Sequence, residues 1–203
     1  MIKIYHVPRT RSIRVIWTCE ELGLAYELIP VDFSLEYRSS PEWRALNPVG
    51  KVPVMIDDDF ALFESGAMVQ YLLDRYGEGR LQPPAGTPEH AIYLQWSWFA
   101  EATFARPLGE IVNHRRSLPE EQQSAVAIAE MQDRAQLCVE ALNSAVAEQD
   151  YILGNEFSAA DIMLGYSLML AQRFLPEPLP AHAAAYFERL VVRPGYVVAT
   201  ADI

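Results

Sequence analysis

Asn47-Pro-Val-Gly-Lys-Val-Pro-Val54, followed ten residues later by Glu64-Ser65, is the stretch on which the reading of this chain turns. A proline between two β-branched residues, at the mouth of the apolar run Val52-Pro-Val-Met-Ile56, cannot donate to a central strand ladder. One solution is a cis bond before Pro53, which turns the chain so that Val52 presents its backbone N–H and C=O. The other is an ordinary trans proline at a strand start. An extended peptide can pair with a backbone presented in this way, as an added strand does. Asp57-Asp58-Asp59 then separates the run from Phe60-Ala-Leu-Phe63, which reads as an antiparallel hairpin. A helix over 65–76 follows, with Met68, Val69, Leu72, Leu73 and Tyr76 as its apolar face. At its start, free amides and the Ser65 hydroxyl suit a carboxylate. Glu64 suits an ammonium group beside it, and Lys51 a second carboxylate. A ligand with a peptide-like middle and an amino-acid head fits this pattern.

Ahead of this stretch, Ile2-Lys3-Ile4-Tyr5 reads as a strand and His6 to Arg11 as a polar loop. A helix begins at Ser12, with Ile13, Ile16 and Trp17 on one face and Gly23 as left-handed C-cap. Tyr26 to Val31 reads as a second strand, completing a βαβ unit. Behind it, Gly77 to Pro88 is rich in Gly and Pro and marks a linker. Helical patterns then cover 88–113, 119–148, 158–173 and 181–192, with Pro119 suited to a first turn. Ser158-Ala-Ala-Asp161 has the spacing of a capping box and belongs to folding. Trp96, Trp98 and Phe99 are too close in one helix to share a face. The expected architecture is α/β plus all-α. An N-terminal domain spans 1–79, a linker 80–87 and a helical domain 88–203.

The 203 residues are 51% hydrophobic and 21% charged, enough for a full core and not a disordered tail. A formal charge of −11 argues against nucleic acid or an anionic membrane as partner. Residues 1–51 hold seven cations against six acids, whereas the rest holds nine against twenty-one, so a small anionic ligand is best tolerated near the N-terminus. The best apolar run, Ile162 to Ala171, is ten residues long and interrupted, too short for a membrane span. There is no secretory pattern, and Cys19 and Cys138 form no disulfide framework, so a reduced cytoplasmic protein is expected. The absence of Cys-x-x-Cys speaks against a dithiol redox centre. Cys19, inside the first helix, reads as packing. His6, His90, His114 and His182 have no metal-ligand spacing, and no metal is expected.

Several of these segments together carry a family likeness. Tyr5-His-Val-Pro8, Arg14-Val-Ile-Trp-Thr-Cys-Glu-Glu-Leu-Gly23, the Asn47–Pro53 segment, Glu64-Ser-Gly-Ala-Met-Val-Gln-Tyr-Leu72, Trp98-Phe-Ala-Glu-Ala102 and Phe157-Ser-Ala-Ala-Asp-Ile162 resemble the cytosolic glutathione transferases, bacterial type. The likeness covers nearly the whole chain. It implies a thioredoxin-like N-terminal domain, an all-helical C-terminal domain, glutathione as cosubstrate, a role in detoxification and a homodimer. Lys51, Val52, Pro53, Glu64 and Ser65 would bind glutathione, and a small hydrophobic electrophile would sit against the first loop and the helix around Phe99 to Arg115.

The family activates the thiol with a Tyr, Ser or Cys near the end of the first strand or in the loop after it. Here the loop reads Val7-Pro-Arg-Thr-Arg-Ser12, without Cys, and with Tyr5 inside the strand. Aligned on Arg14-Val15, Thr10 stands where related bacterial sequences often have Ser, and its hydroxyl can donate to a thiolate. Arg11 and the helix start add positive charge. Ser12 is the alternative donor, although its position also suits a helix cap. Transferase, glutathione-dependent peroxidase or reductase, and a non-catalytic binding protein that kept the fold all remain open.

Overall fold

The computed structural model describes residues 1–201. β1 (Ile2–His6), α1 (Ser12–Leu22) and β2 (Tyr26–Pro30) form the anticipated parallel βαβ unit, with Ile2 opposite Tyr26 and Tyr5 opposite Ile29. Burial in β1 alternates with the period of a strand, so His6 falls on the same inward face as Ile2 and Ile4. α1 closes on Gly23 at φ 68°, where the Gly23 and Leu24 N–H groups return to the Glu20 and Cys19 carbonyls. Nearly all of α1 is buried, including Ile13, Val15, Ile16, Trp17 and Cys19. Burial pushes the Cys19 thiol up to about 12, which makes it packing rather than chemistry.

Two short helices that periodicity did not reveal follow: α2 (Leu35–Ser39) and α3 (Pro41–Leu46). Ser34 and Ser40 cap them, accepting from the N–H groups of Tyr37 and Trp43. Ser40-Pro41-Glu42 was the available signal: a cap, a first-turn proline and a first-turn acid. β3 (Val54–Asp57) and β4 (Phe60–Phe63) form the hairpin, and the sheet order is β2-β1-β3-β4. The turn is Asp58-Asp59 alone. Asp57 belongs to the strand, and its buried carboxylate accepts from the Tyr71 and Tyr76 hydroxyls at 2.9 and 2.5 Å. Both tyrosines lie on α4 (Ser65–Tyr76), whose Met68, Val69, Leu72 and Leu73 enter the core.

The second compact unit, Gln82–Val191, is helical. α5 (Pro88–Trp98) runs through a π-helical segment, Phe99–Phe104, into α6 (Ala105–Ser117). Pro107 explains the widened turn. It withdraws the N–H that the Thr103 carbonyl would receive and crowds that carbonyl. Cys138 Sγ–H points at the Thr103 carbonyl instead, at 3.8 Å. The Ala100 carbonyl accepts from both the Ala105 N–H and the Ser167 hydroxyl. As their spacing requires, the aromatics here diverge: Trp96 packs edge-on to Phe99 while Trp98 is 66% exposed.

α7 (Ala125–Ala145) starts six residues later than anticipated. Pro119 instead precedes a single 3-10 turn, and Ser124 is the cap. α8 (Ala159–Phe174) is buried along most of its length, and α9 (Ala181–Val191) packs against it and α7.

The last helix, α10 (Pro194–Thr200), departs from the expectation that 88–203 is one domain. Residues 192–201 belong with Met1–Leu81. Tyr196 meets Trp17 edge-on at 5.0 Å, and Arg193 forms a two-pronged ion pair with Glu21 at 2.7 and 2.8 Å. A Cβ on Gly195 would stand 2.8 Å from the Trp17 ring, so only glycine permits this approach.

The Ser158–Asp161 capping box is present, and it is larger than the motif. Asp161, fully buried, accepts from the Ile152 and Ser158 N–H groups and the Ser158 and Tyr186 hydroxyls, all within 2.9 Å. Asp161→Ala strands these donors, each costing about 1–3 kcal/mol. The expected loss in urea unfolding is at least ~3 kcal/mol. A loss below ~1 kcal/mol would show that the cluster does not hold this unit together.

Candidate functional site

β3 runs antiparallel to both of its neighbours, and one row of the sheet sets Tyr5, Val54 and Phe63 side by side. β1 and β4 therefore end on the same side, where β3 begins. The Val7–Arg11 loop and α1 leave β1 at that end, and Glu64 and α4 leave β4 there. All eight candidate residues gather at this one end, with two helix N-termini beside it. Such ends carry unpaired N–H groups and partial positive charge, which favour an anionic ligand.

In the loop, Arg9 takes a left-handed φ of 63° and reverses the chain. Thr10 Oγ1 donates to the Val7 carbonyl at 2.7 Å and lies 2.8 Å from Ser12 Oγ. Ser12 Oγ in turn lies 2.7 Å from His6 Nδ1 and 3.3 Å from the Val7 carbonyl. Ser12 is fully buried and is the first residue of α1, and its hydroxyl caps nothing. Arg11 occupies the cap position without a side-chain cap bond. Thr10 and Ser12 are therefore not independent alternatives. They share one hydrogen-bonded cluster, with Thr10 the more exposed member.

The Pro53 segment is braced from below. The buried Asn47 accepts from the Val49 N–H and donates to the Lys51 carbonyl at 3.0 Å, while the Arg44 guanidinium donates to the Pro48 carbonyl at 2.6 Å. Gly50 has φ 62°, and an added Cβ would stand 2.5 Å from the Arg38 carbonyl. The bond before Pro53 is cis. The ladder with β4 starts at Val54, so Val52 lies outside it, and Lys51 is exposed.

Glu64 is the cap residue of α4, with φ 77° and ψ 107°, a conformation few side-chain-bearing residues adopt. Such a residue costs on the order of 1–3 kcal/mol and persists where the surroundings hold it. Its side chain is exposed. Ser65, at the first helical position, is buried and is not a cap either. Its hydroxyl accepts from Arg14 Nη1 at 3.4 Å.

Arg14 and His6 are the site residues that sequence reasoning missed. Arg14 is completely buried on α1 and places a full positive charge behind the start of α4. The signal was available, because an arginine inside Ser12-Ile-Arg-Val-Ile-Trp17 interrupts an otherwise apolar face. His6 gave no signal beyond its strand parity.

Among known proteins, the family model for the glutathione S-transferase N-terminal domain matches residues 1–74, and that for the C-terminal domain matches residues 125–189. Glutathione S-transferase GstB of Escherichia coli is 30% identical over 90% of this chain and 88% of its own. The disulfide-bond oxidoreductase YfcG of the same organism is also 30% identical, over 80% of this chain and 76% of its own. The crystal structure of a theta class glutathione S-transferase from Xanthomonas axonopodis pv. citri, with glutathione bound, superposes at a TM-score of 0.83. It shares 31% identity and covers 98% of this chain and 97% of that one.

Burial draws the His6 pKa below its ordinary value. Burial thus favours the neutral ring in the folded protein, while the unfolded chain takes up a proton near pH 6.5. Stability contributed in this way is full above about pH 6.5 and falls as pH drops through it, because the unfolded state then binds the extra proton. Urea unfolding of the native chain and His6→Asn, compared at about pH 7.5 and about pH 5.5, should show a smaller pH difference in the variant. An equal difference would mean that the folded ring is protonated.

Proposed function

Because the chain belongs to the glutathione S-transferase family, we propose that residues 1–79 bind glutathione at this end of the sheet and hold its thiol as a thiolate. The thiolate then attacks a small apolar electrophile. The observation that carries the reading is the convergence there of two helix N-termini, a hydroxyl-bearing loop and a braced backbone segment. In this reading Glu64 takes the α-ammonium of the γ-glutamyl residue, and Ser65 and the amides of α4 take its carboxylate. The buried Arg14 charge supports the latter. Val52 pairs its backbone with the middle of the tripeptide, next to Pro53, and Lys51 holds the glycyl carboxylate. Thr10 donates to the sulfur, and Arg11 and the start of α1 add positive charge. The thiol proton leaves to solvent, sulfur bonds to carbon, and any leaving group departs with its electron pair. Catalysis then consists of lowering a pKa and positioning, without a covalent enzyme intermediate.

A second reading has a specific observation behind it, the likeness to a disulfide-bond oxidoreductase. There the same thiolate attacks the sulfur of a disulfide, forming a mixed disulfide with glutathione and releasing the other thiolate. Turnover of carbon electrophiles without turnover of disulfides or hydroperoxides supports transfer, the converse supports the reductase, and turnover of none supports a binding protein.

We also place the protein in the cytoplasm as a two-fold homodimer. Phe60 and Phe63 are 50% and 38% exposed on β4, the edge strand of the sheet, and an aromatic edge of this kind favours a covering partner. Light scattering at micromolar concentration should return twice the 22.9 kDa chain mass; a monomer mass refutes the dimer.

Two substitutions test the binding mode. Ser65→Ala should weaken glutathione binding by ~1–3 kcal/mol, read by calorimetry. Thr10→Val keeps the shape and removes the donor. A hydrogen bond to a charged acceptor contributes about 1.5–3 kcal/mol, so the bound thiol's pKa should rise by roughly 1–2. Affinity at low pH, where the thiol is protonated in both proteins, should hardly move. An unchanged thiolate titration would exclude Thr10 as the donor.

A further inference from the structure

We propose that His6 is a positioning residue for the thiol-activating hydroxyl, acting through Ser12: the chain His6 Nδ1 to Ser12 Oγ to Thr10 Oγ1 sets which way the Thr10 proton points. This rests on the reading that the glutathione sulfur meets Thr10.

Contacts of 2.7 and 2.8 Å join the three side chains, and the Val7 carbonyl lies 2.7 Å from Thr10 Oγ1 and 3.3 Å from Ser12 Oγ. The two hydroxyls hold two protons between them. Without ligand, Thr10 spends its proton on the Val7 carbonyl. To donate to sulfur it must release that part-buried carbonyl, which then needs another donor. Ser12 Oγ, 3.3 Å away, is placed to take over, and whether its proton is available depends on His6.

A neutral imidazole carries its proton on one nitrogen or the other. If the proton is on Nε2, Nδ1 is an acceptor, and the hydroxyl 2.7 Å away must serve it. Ser12 is then committed to the ring, and Thr10 leaves Val7 without a hydroxyl donor if it turns away. If the proton is on Nδ1, the ring donates to Ser12 Oγ. The Ser12 proton is then free for the Val7 carbonyl or for Thr10 Oγ1, and the Thr10 proton is free for the thiolate. The second arrangement satisfies every group with the protons at hand. No proton is transferred along the chain. The hydroxyls only rotate.

Burial supports the premise of neutrality. His6 is 4% exposed, on the inward face of β1, and burial draws its pKa down, which favours the uncharged ring.

Nitrogen NMR of ring-labelled His6 in the glutathione-bound protein tests the direction of the chain without any substitution. A neutral ring protonated on Nδ1 is expected, and a ring protonated on Nε2 with Nδ1 bare overturns the proposal. Thiolate absorbance against pH tests the consequence. His6→Phe should raise the pKa of bound glutathione by about one unit, a tenfold fall in the thiol's ionisation constant. Ser12→Ala should do the same, the double variant should shift no further than either single one, and His6→Asn, which keeps a donor near the Nδ1 position, should recover most of the shift. An unshifted titration in His6→Phe, or additive shifts in the double variant, overturns the relay. S-methylglutathione, which lacks the thiol, separates the two levels of argument. If the native protein fails to bind it, the glutathione reading falls and the relay with it. If all variants bind it as the native protein does while the thiol pKa stays put, the reading stands and the relay is wrong.

Discussion

The antiparallel insertion of β3 between β1 and β4 is the constraint on which the site depends. A row that sets Tyr5, Val54 and Phe63 abreast obliges β1 and β4 to finish at the same end. The chain must then leave both strands there, and in each case it leaves into a helix. Two helix N-termini beside one strand start follow from pairing direction alone, before any side chain is considered. Were β3 parallel to β1, the Pro53 segment and the Val7–Arg11 loop would lie at opposite ends of the sheet, and no single ligand could span them.

Side chains then tune what topology supplies. The Asn47 amide and the Arg44 guanidinium hold the segment before Pro53 by its backbone. Arg14 sets a charge behind Ser65, and Glu64 accepts an unfavourable φ at the cap of α4. Strain and buried charge both work against folding, and both occur here at the same helix start. Stability elsewhere offsets them, through the apolar burial of α1, α4 and α10.

How much of this was legible depended on whether the controlling physics was local. The βαβ unit, the hairpin, the Gly23 cap and the Ser158–Asp161 box are set by residues a few positions apart, and they read directly from the chain. α2 and α3 are too short for periodicity to register, although their serine caps were in view. The π-helical segment depends on Pro107 removing a donor within an apparently unbroken helix. The placement of α10 depends on Trp17 and Glu21, more than 170 residues earlier, and no local pattern encodes that. The same division holds at the site. Lys51, Val52, Pro53, Glu64 and Ser65 lie in motifs with recognisable spacing. His6 lies on the core face of a strand, where a histidine more often merely packs, and only the distance to Ser12 distinguishes it.

Two buried polar clusters in this protein have opposite proton accounts, and that difference separates structure from function. At Asp161 four donors converge on one carboxylate, so every donor is used and the arrangement has no alternative. Such a cluster locks a fold and offers nothing to a ligand. In the first loop the balance is reversed. Two hydroxyl protons are shared among a carbonyl, an imidazole nitrogen that can donate or accept, and each other's oxygens, so more than one assignment is possible. Interchangeable assignments are poor for rigidity but allow a donor to be redirected toward a charge that arrives only with substrate. The thiol chemistry is better sought in the cluster that can rearrange than in the one that cannot.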